Sequence, residues 1–199
     1  MRNWGLIFCK RAPNSLEELD LSNNEISQMG DMSVHKYLKR LNLNNNSIVR
    51  IEGLEKNSNL EILHLNHNNI EEIHNLDNLN LTELYLFGNN IRYVFGLDKL
   101  PKLRVLDLSR NKIKKWDLSW ILNIYNLFRI KGLKDLILLR KLFLSDNQIS
   151  KIGSLNYLES LDDLSDLDLC YNPVQKRKYY RYQVLQNYLM SFWLSIGYL

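Results

Sequence analysis

Leucine and polar residues alternate in a fixed frame, Leu-x-x-Leu-x-Leu-x-x-Asn-x-Ile, which opens at Leu16, Leu38, Leu60, Leu81, Leu103, Leu139 and Leu164. Positions 1, 4 and 6 are Leu and position 9 is Asn in every copy; position 11 is Ile six times and Val174 once. Successive copies start 22, 22, 21, 22, 36 and 25 residues apart. Alternation around positions 4 and 6 predicts a short strand with those leucines inward and positions 3, 5, 7 and 8 outward. Beyond the strand, apolar residues return every third position, as in Ile48, Ile51, Leu54 and Ile91, Val94, Leu97, Leu100. That period suits 3₁₀-type turns better than a long amphipathic α-helix. Stacked copies give an α/β solenoid over residues 16–174, with a curved parallel sheet on the concave side and short 3₁₀ or α turns on the convex side. The position-9 asparagines (Asn24, Asn46, Asn68, Asn89, Asn111, Asn147, Asn172) are expected to form a ladder that satisfies backbone groups of the turn. Further asparagines, among them Asn44, Asn45, Asn57, Asn59, Asn78 and Asn80, are read as compositional excess.

The spacing of 36 exceeds 22 by 14 residues. Removing Trp116 to Arg129 returns Ile113, Ile130, Leu133 and Leu136 to the three-residue period, so 116–129 is an insertion. Nine of its 14 residues are apolar. Three readings stay open: a partner-docking element, since exposed apolar patches mark interfaces, a hairpin folded back on the rod, or translated non-coding sequence. Residues 1–15 form an N-terminal segment, and 175–199 a partial cap with an apolar tail, expected to fray first.

The segments LKRLNLNNNSIVRIEGLEKNSN, LEILHLNHNNIEEIHNLDNLN and LTELYLFGNNIRYVFGLDKLPK resemble the 22-residue subclass of leucine-rich repeats, whose namesake is the protein phosphatase 1 regulatory subunit 7 family. The likeness covers about residues 16 to 188, including a final repeat lengthened to 25 residues. Asn172-Pro173-Val174-Gln175, Tyr180-Arg181 and Val184 are similar to the capping motif of such arrays. The continuation from Tyr188 lacks the family's Leu-Pro and later Asp. The resemblance implies a non-enzymatic scaffold whose concave face holds a type-1 Ser/Thr phosphatase catalytic subunit through acidic and aromatic side chains. Tyr85, Asp107 and Phe143 at position 5 and Glu83 at position 3 match that character, while Lys141 stands where an acid is expected and Asp168 where an aromatic is expected. With Phe87, the candidate partner-binding set is Glu83, Tyr85, Phe87, Asp107, Phe143 and Asp168. Exposed aromatics are costly unless covered and commonly anchor interfaces; the alternative is stacking between neighbouring strands. The same repeats serve spliceosomal, cytoskeletal and axonemal adaptors, which stands as the second reading of function.

Charge and chemistry narrow this further. The formal net charge of +4 is carried by Lys176, Arg177, Lys178 and Arg181, and no Asp or Glu follows Asp168. Four clustered cations are few for nucleic-acid binding, which neutralises many phosphates, so no nucleic-acid partner is expected. The two cysteines, Cys9 and Cys170, are too few for the disulfide-clustered ends of secreted relatives. An intracellular monomer in the cytoplasm or nucleus is expected, which makes the sequons at Asn45 and Asn80 chance matches. Trp4 to Cys9 is too short for a signal-peptide core, and Tyr188 to Leu199 too short for a bilayer, which takes ~20 residues; no membrane partner is expected. Scattered glycines give no phosphate loop. His64 and His67 are read as surface histidines, so no metal, cofactor or catalytic residue is expected.

Overall fold

A computed structural model describes residues 15–114, 133–151, 158, 161–180 and 193–195. Eight three-residue strands form one parallel sheet in sequence order. They are β1 (Glu18–Asp20), β2 (Arg40–Asn42), β3 (Ile62–His64), β4 (Glu83–Tyr85), β5 (Val105–Asp107), β6 (Lys141–Phe143), β7 (Asp166–Asp168) and β8 (Trp193–Ser195). β1 to β7 each occupy positions 3 to 5 of a repeat, and the register aligns equivalent residues, so that His64 faces Tyr85 and Asp107 faces Phe143. The fold is a leucine-rich-repeat solenoid.

The frame repeats because each leucine in it has one place to go. Leu41, Leu63, Leu84, Leu106 and Leu142, all at position 4, are fully buried, as are the position-11 residues from Ile48 to Ile149. Among the described residues the first repeat is partly open: Leu16, Leu19, Leu21 and Ile26 pack against the core without being enclosed by it. On the opposite side the three-residue period becomes a chain of i+3→i turn bonds. Leu100 N–H donates to Leu97 O at 3.0 Å and Leu103 N–H to Leu100 O at 3.1 Å. Leu136 and Leu139 repeat the pattern after the 3₁₀ turn Leu133–Asp135. The turns are short because consecutive i→i+3 bonds suit only brief runs.

The insertion at 116–129 lies outside the described residues. The ladder closes across its position nonetheless. β5 pairs with β6, and Ile113 N–H donates to Asn147 Oδ1 at 3.0 Å across 34 residues of sequence. Leu133 and Leu136 are buried where the three-residue period places them. At the C-terminal end, Pro173–Lys176 forms a 3₁₀ turn, Val174 and Tyr180 are buried, and Arg177 Nε donates to Ser150 O at 3.2 Å. The sequence frame predicts seven strands. The eighth comes from the apolar tail, whose Trp193–Ser195 pairs with β7. A sheet edge presents unpaired N–H and C=O groups, and an added strand satisfies them without needing the leucine frame.

The asparagine ladder is present and has two layers. Each position-9 side chain from Asn46 to Asn172 is buried. Asn111 Nδ2 reaches Leu86 O, Leu108 O and Ser109 O at 2.9, 3.0 and 3.2 Å, while its Oδ1 accepts Ile91 N–H at 2.9 Å. One amide thus joins two repeats. Asn24, in the first repeat, is exposed and among the described residues bonds Leu21 O and Ser22 O.

The asparagines outside position 9 are not compositional excess, which corrects the sequence reading. Asn44 Oδ1 accepts Asn66 N–H at 2.7 Å. Asn45 Nδ2 donates to Asn23 Oδ1, Asn59 Nδ2 to Lys36 O, and Asn80 Nδ2 to Ser58 O. Asn57 is fully buried and donates to Met32 O and His35 O at 3.1 and 2.9 Å. Asn78 takes a left-handed φ of 68°, a conformation Asn tolerates better than most residues. A short coil leaves many backbone groups without a strand or helix partner, and asparagine supplies both a donor and an acceptor.

Candidate functional site on the concave face

Position 5 is not freely variable, because the backbone at position 7 makes a demand on it. The N–H groups at positions 6 and 8 donate to the following repeat, as Leu86 does to Asp107 O and Gly88 to Ser109 O. The position-7 N–H lies between them, and among the described residues a side chain meets it in six of the seven repeats; Ser145, which follows Phe143, is the exception. Asp20, Asn42, Asp107 and Asp168 at position 5 accept it from Ser22, Asn44, Ser109 and Cys170 at 2.8 to 3.1 Å. These are Asx turns. Where position 5 is His64 or Tyr85, the preceding repeat takes over. Asn44 Oδ1 accepts Asn66 N–H, and Asn66 Oδ1 accepts Phe87 N–H at 2.9 Å. Position 8 then turns left-handed, with φ between 51° and 57° in Asn23, Asn45, His67, Arg110, Asp146 and Tyr171 and 69° in Gly88.

Freed of that duty, the middle of the face carries rings. His64 and Tyr85 stack with centroids 4.6 Å apart and planes 8° from parallel. Tyr85 Oη donates to Glu83 Oε2 at 2.6 Å. One step along, Phe87 meets His67 edge-on at 5.0 Å, and the Arg110 guanidinium lies 5.3 Å above the Phe87 ring. Arg110 also approaches Asp146 at 3.5 Å. Stacking between strands, the alternative left open from sequence, accounts for Tyr85 and Phe87, which are half-buried rather than exposed.

Five of the six candidate residues are therefore engaged: Glu83 with Tyr85, Phe87 with His67, and Asp107 and Asp168 as turn caps. Glu83 and Tyr85 form one hydrogen-bonded unit, and Asp107 and Phe143 are register neighbours on β5 and β6. Phe143 lies two strands from Tyr85, roughly 10 Å away at ordinary strand spacing, with Asp107 between them. Asp168 neighbours Phe143 on its other side. His64, His67 and Arg110 belong to the cluster and were missed. The signal for them was the register itself, since equal repeat positions 22 or 21 residues apart become neighbours.

Burial shapes the charges here. It holds the His64 imidazole below its ordinary value, against the opposing pull of Glu83 and Asp20. Burial, then the hydrogen bond to Glu83, raises the Tyr85 phenol and keeps it protonated. Asp107 is raised chiefly by burial, with Asp168 adding to the effect and the Ser109 N–H opposing it. At the N-terminal end, Glu18 is lowered by its hydrogen bond to Arg40, and Lys39 pairs with Glu17 at 3.0 Å. Among the described residues no group of three or more His, Cys, Asp or Glu side chains could hold a metal ion, and no helix is long and apolar enough to cross a membrane. The arrangement offers rings, hydrogen-bond groups and charges to a surface laid against it.

Comparison with known proteins gives the class. Residues 79–120 match the profile described as leucine-rich repeats (two copies), and 15–35 and 56–71 match two further leucine-rich-repeat profiles. The chain is similar to the structure of a leucine-rich-repeat protein of Leptospira interrogans, with a TM-score of 0.59 and 22% identity. The match covers 92% of this chain and 50% of that one, so this chain spans half the length of that protein. No curated protein matches it in sequence. The protein is thus a leucine-rich-repeat protein, and repeats of this kind generally mediate protein–protein interaction.

Proposed function

We propose that this protein is a non-enzymatic intracellular scaffold that holds the catalytic subunit of a type-1 Ser/Thr phosphatase against its concave face. The observation that carries the binding role is the ring cluster of His64, Tyr85, His67 and Phe87 at the centre of that face. Aromatic anchors surrounded by polar groups are the usual energetic centres of interfaces. The phosphatase itself rests on the resemblance at Glu83, Tyr85, Asp107 and Phe143. Control would be steric and electrostatic, with no chemistry done by the scaffold.

Binding of purified phosphatase catalytic subunit to the chain, with and without Tyr85→Ala and Phe143→Ala together, tests this. Each ring is expected to contribute on the order of 2 kcal/mol at a hot spot, so the double variant should bind far more weakly while keeping its circular dichroism spectrum. Unchanged affinity would remove the concave face from the interaction. No binding by the unaltered chain would remove the phosphatase.

A structural adaptor of the spliceosome, cytoskeleton or axoneme is the second reading. Lys141 supports it, because that strand position carries a cation where the phosphatase resemblance requires an acid.

A further inference from the structure

Positive charge gathers on one flank of the rod, where each repeat passes from its strand to the turn side. There the backbones of successive repeats are bonded together. Gln148 N–H donates to Ile113 O and Val174 N–H to Ile149 O, both at 2.8 Å. Lys112 and Lys114 of the fifth repeat, Lys151 of the sixth, and Lys176, Arg177 and Lys178 of the seventh stand exposed on this flank. A side chain ties the last two repeats: Arg177 Nε reaches across to Ser150 O at 3.2 Å, beside Lys151. No acid stands among the described residues of the flank, 112–114, 148–151 and 173–178. None of the six cations forms an ion pair among the described residues. Asp146, at the rim, is matched by Arg110 at 3.5 Å. The same flank of the second and third repeats carries Glu52, Glu71 and Glu72 against Arg50, so the surplus begins further along the rod.

Counted along the sequence, the cations of 176–181 are too few to neutralise a run of phosphates. The register adds Lys112, Lys114 and Lys151 to the same flank, and about six contacts suffice for strongly salt-dependent nucleic-acid binding. Neighbouring strands lie about 4.8 Å apart, so three repeats spread the cations over roughly 10 Å along the rod. At the end of the row the Tyr179 ring is 64% exposed, with Lys178 Nζ 5.0 Å from its centroid. We propose that this flank binds a single-stranded nucleic acid, with its phosphates along the six cations and one unpaired base on Tyr179. A linear polyanion follows a row of cations, and an exposed ring beside that row stacks a base that no partner strand covers. A bilayer surface takes exposed aliphatic side chains as well as cations, and the described residues of this flank expose no Leu, Ile, Val or Phe. A carboxylate-rich peptide meets the cations and leaves the ring unused. The flank is separate from the concave face, so the proposal does not rest on the phosphatase reading.

Fluorescence anisotropy of a labelled oligothymidylate of about twelve nucleotides with the intact chain tests this. Binding is expected at about 50 mM salt, with log affinity falling against log salt by about 0.7 for each phosphate met, and so by about 4 for all six. Lys112→Gln/Lys114→Gln/Lys151→Gln and, separately, Lys176→Gln/Lys178→Gln should each weaken binding about tenfold or more. Tyr179→Ala should weaken it about fivefold or more, and Tyr179→Phe should not, because the ring makes the contact. Arg50→Gln, on the acidic stretch of the same flank, should bind as the parent does. All the replaced side chains are exposed, and circular dichroism checks that the variants fold. No binding would overturn the proposal. So would a loss confined to Lys176→Gln/Lys178→Gln, which reduces the row to a basic tail, or an equal loss in Arg50→Gln, which reduces it to overall charge. Full affinity in Tyr179→Ala, or equal cation-dependent binding of a glutamate peptide of the same length, would overturn the nucleic acid in favour of an acidic protein segment. Phosphatidylserine vesicles that bind with the same dependence, where the oligonucleotide does not, would replace it with a membrane surface.

Discussion

Replacing Asn111 by Ala removes the amide that ties the fourth repeat to the fifth. Its Oδ1 is the acceptor for Ile91 N–H, and its Nδ2 serves three carbonyls, Leu86 O, Leu108 O and Ser109 O. Asn111 and Ile91 are both buried, so water does not replace these bonds without opening the coil. A buried N–H left unpaired costs about 1–3 kcal/mol, and each lost neutral hydrogen bond about 1 kcal/mol net. The sum, with partial relaxation, is about 3 kcal/mol. Asn24→Ala is the internal control. That side chain is exposed and bonds two carbonyls of its own repeat, so its loss should stay below about 1 kcal/mol. Asn111→Asp separates the two halves of the amide. A carboxylate still accepts Ile91 N–H but donates to none of the three carbonyls, so most of the loss should remain. Urea unfolding gives the global change. Amide exchange at Ile91 gives the local one, which matters because repeat arrays lose neighbouring repeats before the whole rod. Equal losses at Asn24 and Asn111, or unchanged protection at Ile91, would refute the reasoning.

Three further outcomes follow from the same geometry. Asp107→Asn keeps the cap on Ser109, as Asn42 caps Asn44 at 3.1 Å, and removes a charge whose burial raises its pKa. The variant should be at least as stable as the parent in urea at pH 7, and a lower midpoint would contradict this. Gly96→Ala should lower the urea midpoint, because φ is +75° and an added Cβ would sit 2.3 Å from Ile73 O; the left-handed backbone alone costs about 1–2 kcal/mol. Gly96→Asn should cost less than Ala, because Asn75, at the same repeat position, is left-handed and turns the equivalent carbonyl, Ile51 O, into a 2.9 Å bond. His64 is held below its ordinary value by burial. The unfolded chain therefore takes up its proton first as pH falls below about 6.5, and stability is lost from there down to the folded-state value. His64→Phe should flatten that part of the urea midpoint against pH, and an unchanged slope would exclude His64 as its source.

The core was legible because it is written in one residue type at fixed offsets. Leu84 or Leu106 needs only its position number to be placed inside, and Ile91 with Leu97 gives the turn side. Position 9 was legible for the same reason. The face was legible only in part. Tyr85 and Phe143 stand out by type, but Asp107 and Asp168 read only as partner-binding acids, while the structure uses them as turn caps. His64 and His67 looked unremarkable singly, and their meaning lies in the next repeat. The spare asparagines were invisible for a related reason. Asn44 and Asn66 sit at position 7, outside the frame, and serve N–H groups one repeat away. The strand β8 carries no copy of the frame, so no periodicity could announce it.

The last prediction tests whether an Asn at position 7 of the previous repeat relieves position 5 of its capping duty. In the fourth repeat Asn66 Oδ1 accepts Phe87 N–H, and Tyr85 has no capping duty. In the fifth, Asp107 caps Ser109 itself. Asn66→Ala leaves Phe87 N–H without its acceptor. Tyr85→Asp loses the ring stacked on His64 and introduces a carboxylate beside Glu83, so it should also be destabilising alone. Combined, the new carboxylate can take over the N–H that Asn66 abandoned. The two changes should therefore cost less together than their sum, with a coupling of about 1 kcal/mol, the net worth of one such bond. The four proteins of the cycle, compared by urea unfolding at pH 7, cancel the loss of the ring and the added charge, which both legs share. A coupling of zero would mean that water already meets the Phe87 N–H. The choice between rings and carboxylates along the concave face would then be free of the backbone.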